Sequence, residues 1–485
     1  MATAMPEPTQ YARSAVDINA RIDRLPRFPL PIGTLVLMAL LYFFSYYDIT
    51  VIGDALPSIK TQFNLTTAQL ALPVTVNLAG YVIGSYAFGN LADYLGRRKA
   101  LLITLAVLTV GALLSAFAWN LSSLSAFRFI VGVGTGAQIS LAATYIAELT
   151  PARIRGRFTQ LNIIWAGVGL GAAPWVAIPL VGIPNVGWRV LLGLGAGAVV
   201  VALFAHRLPE SPRWLAVHGQ PELADAIVTR MEERARRASP DGALPPVPAT
   251  SAEENQAHGF PTAALFHRPY LGRLIVVFAF WIAWYIPTYA VLGYEPILLK
   301  SIGVSAPNSL LFTALGDIAF PVGAVIAWLV IDRVERKWII TAVMVLYTAA
   351  LLILALATSS GAVVVGALLF ALCILAGSGA GYIYTSEIFP TRARASAMSI
   401  GDGGGHLGGV VAPFIALGAL AAWGGRGTFA LLAGIAFCGL LIIAIGGIAT
   451  TGRTLTRLVG AGQDDPIHPD TSAAVVPNQY HGSDG

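Results

Sequence analysis

Charged residues are scarce in this sequence. They make up 11% of its 485 residues, whereas hydrophobic residues make up 56%, and soluble domains carry roughly 25% charge. This composition excludes an ordinary soluble globular domain. Only two cysteines occur, Cys373 and Cys438, and both lie in apolar stretches that are predicted to be helical. We therefore interpret them as packing residues and expect no disulfide framework.

Motifs for catalysis and for nucleotide or metal binding are also missing. The sequence has no metal-spaced set of His and Cys, no nucleophile elbow and no phosphate-binding P-loop. We therefore expect no enzyme activity, no cofactor and no bound metal. Any transport against a gradient must then draw on an ion gradient, of protons or sodium, or on the gradient of the substrate itself.

The apolar residues are collected in runs of about 20, the length that an α-helix needs to cross a hydrocarbon layer of roughly 30 Å. Backbone polar groups in lipid must be satisfied within the segment, so these runs are predicted to be helices. The alternating pattern of an outer-membrane barrel is absent. The prediction is an all-α membrane protein with twelve spans, approximately 32–56, 71–90, 100–119, 124–148, 158–181, 188–206, 271–299, 308–331, 338–357, 362–386, 396–421 and 427–449.

Lys and Arg are distributed very unequally between the two sides of the predicted membrane. Of the 30 such residues, Arg128 lies within a span, four (Lys60, Arg189, Lys300 and Arg426) lie on one side, and the remaining 25 lie on the other, together with both termini. Because Lys and Arg mark cytoplasmic loops, the sequence predicts cytoplasmic termini in a plasma (inner) membrane. The net charge of +5 is then a topology signal and does not indicate binding to nucleic acid.

Two motifs occur twice at one offset. The segment 89–99, GNLADYLGRRK, has a weaker copy after Asp332, and the pairs Asp93/Asp332 and Glu148/Glu387 are both 239 residues apart (332 − 93 and 387 − 148). A shared offset indicates an internal duplication, and hence two pseudo-symmetric six-helix bundles. The predicted domains are an amino-terminal arm (1–30), the first bundle (31–207), a cytoplasmic linker with short helices (208–270), the second bundle (271–450) and a disordered tail (451–485). The arm is predicted to be either a short interfacial helix or a disordered tail.

Two charges lie inside the first predicted bundle, Asp48 in span one and Arg128 in span four. An aspartate at the middle of a membrane helix costs about 2.5 kcal/mol or more. At 1.5 Å per residue the two side chains lie at similar depth, so we predict an ion pair. In the duplication they correspond to Pro287 and Ala367, which are uncharged. A pair that is present in one half only indicates a functional role, with a static buried ion pair as the alternative.

Span seven is rich in aromatic residues, including Trp281, Trp284, Tyr285 and Tyr289. These residues predict either a wall of a substrate site or an aromatic belt at the membrane surface. The two interpretations predict different depths of these residues in the membrane, because an aromatic belt occupies only the ends of a span.

Span eleven contains Asp402 and His406, which are four residues apart and so share a helical face. A histidine beside an acid can titrate near neutral pH, and the glycines between them can expose backbone carbonyls to a cavity. A tight packing site with one polar pair is the alternative. The further candidates for substrate contact are Tyr47, Asn162, Trp165 and Asp317, the last of which is a second intramembrane acid.

These motifs resemble the major facilitator superfamily over about 30–450. GNLADYLGRRK matches the signature of that superfamily except at Tyr94, where Arg is usual. The loop from Glu148 to Arg157, PESPRWL at 209–215 and the segment from Glu387 to Arg394 resemble the branch that contains sugar porters, organic ion transporters and metabolite–proton symporters. The resemblance implies two bundles that rock around a central cavity. It also implies a cytoplasmic gate of ion pairs, formed by Asp93, Arg97, Glu148, Arg155, Arg213, Asp332, Arg336, Glu387 and Arg394.

In proton-coupled sugar symporters of this branch, the proton site is a first-span aspartate paired with a fourth-span arginine, and the ion pair predicted above matches those positions. Sugar porters place glutamines in spans five and seven, where this sequence has Ile163, Leu170, Ala283 and Trp284. We therefore predict a monomeric transporter in a lipid bilayer that imports a small organic metabolite with protons. An organic or aromatic acid is favoured over a sugar. A uniporter or exporter of the same fold and a transporter-like receptor are the alternatives.

Overall fold

The computed structural model describes residues 10–239, 241–247, 262–268, 270–331, 333–389 and 394–449. Helices make up most of these ranges, which contain no β-strand. Eleven helical segments are long and apolar enough to cross a membrane. The predicted all-α class is therefore confirmed.

The first half of the chain contains a short amphipathic helix followed by six spans. Its helices are α1 (Gln10–Asp23), α2 (Ile32–Gln62), α3 (Ala71–Leu95), α4 (Arg97–Ala116), α5 (Leu121–Leu149), α6 (Ala152–Val181), α7 (Gly187–Gly193) and α8 (Ala198–Phe204). A 3₁₀ turn joins α7 to α8, and together they form the sixth span. Two further helices that are not membrane spans follow, α9 (Pro212–Val217) and α10 (Pro221–Arg237).

The second half consists of membrane helices. They are α11 (Tyr270–Ser301), α12 (Ala306–Asp317), α13 (Ala319–Val330), α14 (Arg336–Leu356), α15 (Ser360–Glu387), α16 (Arg394–Met398) and α17 (Gly404–Gly446). Helices α12 and α13 are separated by Ile318 alone and together form one span. A π-helical turn at Ser399–Gly403 connects α16 to α17.

The final apolar segment is 51 residues long and holds both of the last two predicted spans. Its helical geometry breaks at Gly424, which has a φ of +67°. Gly425 lies beside Ser301 and Gly446 lies beside Val276, near opposite ends of α11, so the chain reverses at this glycine. Glycine suits the turn because it adopts positive φ without a steric penalty.

The two bundles meet mainly at four pairs of helices: α2 with α11, α3 with α17, α6 with α12 and α6 with α13. We call the end of the molecule that carries α1, α9 and α10 the basic face. The other end, where α2 turns into α3 and α11 turns into α12, is the opposite face. The functional features lie along this interface between the bundles and at its two ends.

The amino-terminal arm is helical over Gln10–Asp23 and packs on the linker. Ile18 and Ile22 of α1 are buried in a small apolar core with side chains of α9 and α10. Glu232 of α10 is buried beside this core and accepts hydrogen bonds from Arg21 at 3.1 and 3.2 Å and from Arg24 at 2.6 and 3.1 Å. The arm is therefore attached by both apolar packing and an ion-pair network.

This attachment depends on the charge of Glu232. Burial raises its pKa, but hydrogen bonds from Arg21 and Arg24 outweigh burial and hold the pKa below its ordinary value. The stabilisation is therefore present above the ordinary carboxylate range and is lost as pH falls through the lowered pKa. We expect Glu232→Gln to weaken docking by about 1.5–3 kcal/mol, so that amide exchange in α1 becomes on the order of 10- to 100-fold faster.

Hydrogen-exchange mass spectrometry of the full chain measures this change. The matched control is Glu233→Gln, because Glu233 is exposed and its neutralisation is expected to leave exchange in α1 unchanged. Equal protection of α1 in the wild type and the Glu232 variant contradicts the prediction.

Candidate functional site

Asp48 and Arg128 form a fully buried, bidentate ion pair. Nη1 and Nη2 of Arg128 each donate to one carboxylate oxygen of Asp48 at 2.9 Å, and Nη2 also donates to the backbone carbonyl of Asp48 at 3.0 Å. The two residues are 1% and 0% exposed. The structure therefore brings together the two charges that the depth argument paired.

Local sequence explains why Arg128 occupies this depth. Asn120 and Ser123 form a capping box that starts α5, and Arg128 lies two turns further into the helix. Asn77 of α3 donates to the carbonyl of Arg128 at 3.0 Å. A Cβ on Gly132 would lie 1.9 Å from the carbonyl oxygen of Asn77, so glycine is required for α3 and α5 to approach this closely. The backbone around the arginine is thus held in place by its packing against α3.

A small central cavity of about 60 Å³ lies between the two bundles. Its walls come from α2, α3, α5 and α6 of the first half and from α11, α15 and α17 of the second. Rings dominate the lining, which includes Tyr46, Tyr81, Trp284, Tyr285, Tyr289, Tyr382 and His406. The volume is far below the 300–1,000 Å³ of a typical ligand pocket, so the bundles are closed around the site in this structure.

Asp402 and His406 meet the aromatic residues of span seven at this cavity. Tyr285 donates a short hydrogen bond to the carboxylate of Asp402, and its ring centroid lies 4.0 Å from that of His406. On the other side, Tyr81 stacks on His406 at 4.8 Å. The ring of His406 is thus held between α3 and α11, one from each bundle. Asp402 lies in the π-helical turn, a feature that is frequent at functional sites.

The two tryptophans of span seven differ in their hydrogen bonds. Nε1 of Trp281 donates to Oγ1 of Thr385 at 3.2 Å, whereas Nε1 of Trp284 is buried without a partner among the described residues. Trp284 also lines the cavity. A buried N–H group without a partner is costly, and a substrate with an acceptor atom could satisfy it. Both tryptophans are completely buried, which excludes an aromatic belt at the membrane surface.

Three predicted substrate contacts lie outside the cavity lining. The hydroxyl of Tyr47 donates to the carbonyl of Leu191 at 3.0 Å, and Nδ2 of Asn162 donates to the carbonyl of Phe158 in its own helix at 2.7 Å. Trp165 is 39% exposed and does not line the cavity. In this closed arrangement, none of the three side chains reaches the central site.

Asp317 also lies outside the cavity, toward the opposite face. It is 3% exposed at the end of α12 and interacts electrostatically with Glu295 and Asp54. The structure thus places this residue, which was predicted to contact the substrate, beside two other acids and outside the cavity lining. Among the described residues, no set of three or more His, Cys, Asp or Glu side chains is arranged to hold a metal ion.

On the basic face, the predicted gate residues of the first half form one network. Arg97 lies 2.9 Å from both Asp93 and Glu148. Arg155 and Arg213 both approach Asp23 of the amino-terminal arm, at 3.9 and 3.2 Å. The arm therefore takes part in this network of predicted gate residues.

The repeat of this network in the second half is only partly described. Arg336 lies 3.2 Å from Glu387, which matches the Arg97–Glu148 pair of the first half. Asp332 and the side chain of Arg394 lie outside the described residues. Glu210 of PESPRWL was not among the predicted gate residues. Its carboxylate accepts from the backbone N–H groups of Arg97 and Arg98 at 2.8 and 3.2 Å, so it caps the first turn of α4.

Three tyrosines of the cavity, Tyr46, Tyr81 and Tyr382, were also not predicted. Tyr46 neighbours Asp48 along α2, and Tyr382 lies just before the duplicated segment that contains Glu387. Neither position has a motif of its own, and each looks like an ordinary aromatic residue of a membrane helix. Only the packing of the two bundles brings these side chains together.

Comparisons with known proteins agree with this architecture. A family model described as "Sugar (and other) transporter" matches residues 34–459. The chain is 29% identical over 401 residues to the putative metabolite transport protein YyaJ of Bacillus subtilis, with 82% of this chain and 88% of that protein covered. It is 27% identical over 449 residues to the niacin transporter NiaP of Acinetobacter baylyi, with 91% and 100% covered.

A solved structure of the xylose transporter XylE from E. coli in an inward open conformation matches with a TM-score of 0.70. It is 21% identical and covers 89% of this chain and 99% of that chain, so the likeness concerns the fold. The family match extends over most of the sequence, and members of this family are transporters rather than enzymes. The protein is thus a multi-pass membrane protein that transports a small molecule, and the chain belongs to the sugar (and other) transporter family of the major facilitator superfamily.

Proposed function

We propose that the protein imports an aromatic or other small organic acid together with protons by alternating access. The observation that carries this proposal is the composition of the central cavity. Its walls are mainly aromatic and apolar, and His406 lies among them, stacked against Tyr81 and next to Tyr285. The Asp48–Arg128 pair lies apart from the cavity lining and supplies a separate group that can take up a proton.

The cavity walls favour a planar substrate over a sugar. Faces of Tyr81, Tyr285 and Trp284 can stack on a flat ring, whereas a sugar requires many polar partners to replace its hydration. Ile163 and Leu170 line the cavity. By resemblance to sugar porters, these are positions at which those proteins carry glutamine. One relative, NiaP, is a niacin transporter, and niacin is a pyridine carboxylic acid.

His406 provides the polar contact for an acid group. Its Nδ1 lies 2.9 Å from the carbonyl oxygen of Asp402, and because a carbonyl can only accept, Nδ1 donates. Nε2 has no partner among the described residues. It can accept the proton of an undissociated acid, or, once protonated, donate to a carboxylate. The same imidazole therefore suits a substrate that arrives with a proton.

Proton coupling is assigned to Asp48. While this carboxylate is ionised, both of its oxygens hold Arg128, and the pair links α2 to α5. Protonation removes the negative charge, weakens the hold on the guanidinium and allows the first bundle to change its packing. Removal of one partner from a buried ion pair of this kind destabilises the folded protein by about 3–5 kcal/mol.

Trp284 gives a first test of substrate contact. We expect Trp284→Phe to lower the affinity for an aromatic acid by about 2- to 10-fold, since one hydrogen bond of about 0.5–1.5 kcal/mol is lost while stacking is kept. Isothermal titration calorimetry with nicotinate on the purified protein measures this. Trp165→Phe is the matched control, because the same change lies outside the cavity. Equal losses in both variants contradict the assignment.

Transport itself is tested in proteoliposomes with an acidic exterior. We expect labelled nicotinate, benzoate or a hydroxybenzoate to accumulate up to about tenfold per unit of pH gradient for one proton per substrate, and a dye inside the vesicles to report acidification. Uptake that ignores the gradient would identify a uniporter. Binding without flux would identify a receptor, and accumulation of xylose or glucose instead would overturn the substrate class.

A further inference from the structure

Three carboxyl side chains are buried together near the opposite face of the molecule. Asp54 belongs to α2, Glu295 to α11 and Asp317 to α12, and each is only 3% exposed. Asp317 interacts electrostatically with both other residues, and Asp54 also interacts with Glu295. We call these residues the acid triad. Because its members come from both bundles, it spans the interface that must part when this face opens.

The backbones around the acid triad are in close contact. A Cβ on Gly53 would lie 2.7 Å from the carbonyl oxygen of Leu292, and a Cβ on Gly171 would lie 2.8 Å from that of Asp317. The hydroxyl of Tyr294 donates to the carbonyl of Leu70 across the bundles at 3.1 Å. This end of the interface is therefore closed, and the acids are buried within it.

In the part of the chain that the structure describes, no cation neutralises the acid triad. Among the described residues, no Lys, Arg or His lies within 4.0 Å of any of its carboxylates, and neither Oδ2 of Asp54 nor Oε1 of Glu295 has a hydrogen-bond partner. The three carboxyls are also not arranged to chelate a metal ion. The triad thus consists of buried acceptors without a cationic partner among the described residues, and two of their oxygens also lack a hydrogen-bond donor there.

The surrounding charged and titratable groups have other partners or face water. Along α2, Tyr47 donates to a backbone carbonyl, Asp48 is held by Arg128, and Lys60 donates to Thr67 at 2.8 Å. Lys60 and Lys300 of α11 line a vestibule of about 530 Å³ at the opposite face, and Asp54 forms part of its lining. Helix α12 has no other titratable residue, and the vestibule gives protons a path to the triad.

An ionised carboxylate without a partner is very costly in such surroundings, and like charges that interact with one another repel. We propose that the acid triad is a second proton-binding site, in which protons hold the opposite face closed. When the face opens, the acid O–H bonds break, protons pass to water in the vestibule, and the remaining negative charges repel across the interface. No electrons are transferred. This proposal does not rest on the identity of the substrate or on the role of Asp48.

The test measures closure directly and needs no substrate. Spin labels are attached at Thr61→Cys and Asn308→Cys, two exposed positions at the opposite face, one in each bundle. Cys438→Ser removes the exposed native cysteine, while Cys373 is buried. The distance between the two spin labels is measured by double electron–electron resonance in nanodiscs from about pH 5 to about pH 9. We expect the ratio of short to long distances to fall by up to tenfold per pH unit for each proton released.

The decisive variant combines Asp54→Asn, Glu295→Gln and Asp317→Asn, which keeps the shapes of the neutral acids. It is expected to remain at the short distance at every pH. If the triple variant does not fold, Glu295→Gln alone is expected to reduce the steepness of the pH response. A wild type that is insensitive to pH, or a triple variant that keeps the full response, overturns the proposal. Loss of the response in Asp48→Asn alone also overturns it, because the ion pair would then be the sensor.

Discussion

Replacement of Asp48 by asparagine is expected to abolish accumulation of substrate while exchange across the membrane continues. Asparagine keeps one oxygen for Arg128 but cannot take up a proton, so the pH gradient no longer drives transport. In proteoliposomes with a gradient of one pH unit, the inside-to-outside ratio should fall from up to about tenfold in the wild type to about one in the variant. Counterflow of labelled against unlabelled substrate measures the exchange that remains.

The geometry of the pair supplies the control. Arg128→Lys keeps the positive charge but cannot make two parallel bonds to a carboxylate, and we expect it to slow transport while the dependence on the gradient persists. An Asp48→Asn protein that accumulates substrate as well as the wild type would show that the ion pair is only structural. A thermal-unfolding scan of each variant separates loss of coupling from loss of the fold.

The second large effect is expected at His406. Replacement by glutamine removes the imidazole that can carry a charge, and with it a charged hydrogen bond of about 1.5–3 kcal/mol to a carboxylate. Affinity for nicotinate should fall by about 10- to 100-fold. Affinity for nicotinamide, which carries no acid group, should change by less than about twofold, because its contacts with the rings are kept. Calorimetry on the purified variants measures both ligands.

His218→Gln is the matched control for this change. His218 stacks on Trp214 at 4.2 Å on the basic face, away from the central cavity, so both affinities should equal those of the wild type. If His406→Gln weakens the acid and the amide equally, the histidine is a packing residue. That outcome would leave the acid triad proposal untouched, because its test uses no ligand.

Features set by helix geometry could be predicted from the sequence. The rise per residue placed Asp48 and Arg128 at one depth, and a shared depth leaves few ways for two buried charges to exist except as a pair. The four-residue spacing of Asp402 and His406 placed both on one face in the same way. Each of these inferences uses the geometry of one helix at a time, and the sequence alone is sufficient for that.

Features that depend on how the bundles meet could not be predicted. Tyr81 and Tyr382 reach the cavity only because α3 and α15 lie on either side of it, and no local pattern records that arrangement. Asp54 and Glu295 lie near the ends of their spans, where a single acid is unremarkable in an apolar sequence. Only the folded structure shows that both residues interact electrostatically with Asp317. The roles assigned to the cavity and gate residues stay predictions.

The tight reversal at Gly424 has a mechanical consequence. The last two spans are joined directly at Gly424. The span that carries Asp402 and His406 therefore cannot shift along the bilayer normal unless the final span shifts as well. We therefore expect the last two spans to tilt together about this reversal, which lies beside the end of α11 at the opposite face. Such a tilt would displace His406, and in this way a rearrangement at the opposite face would change the shape of the central cavity.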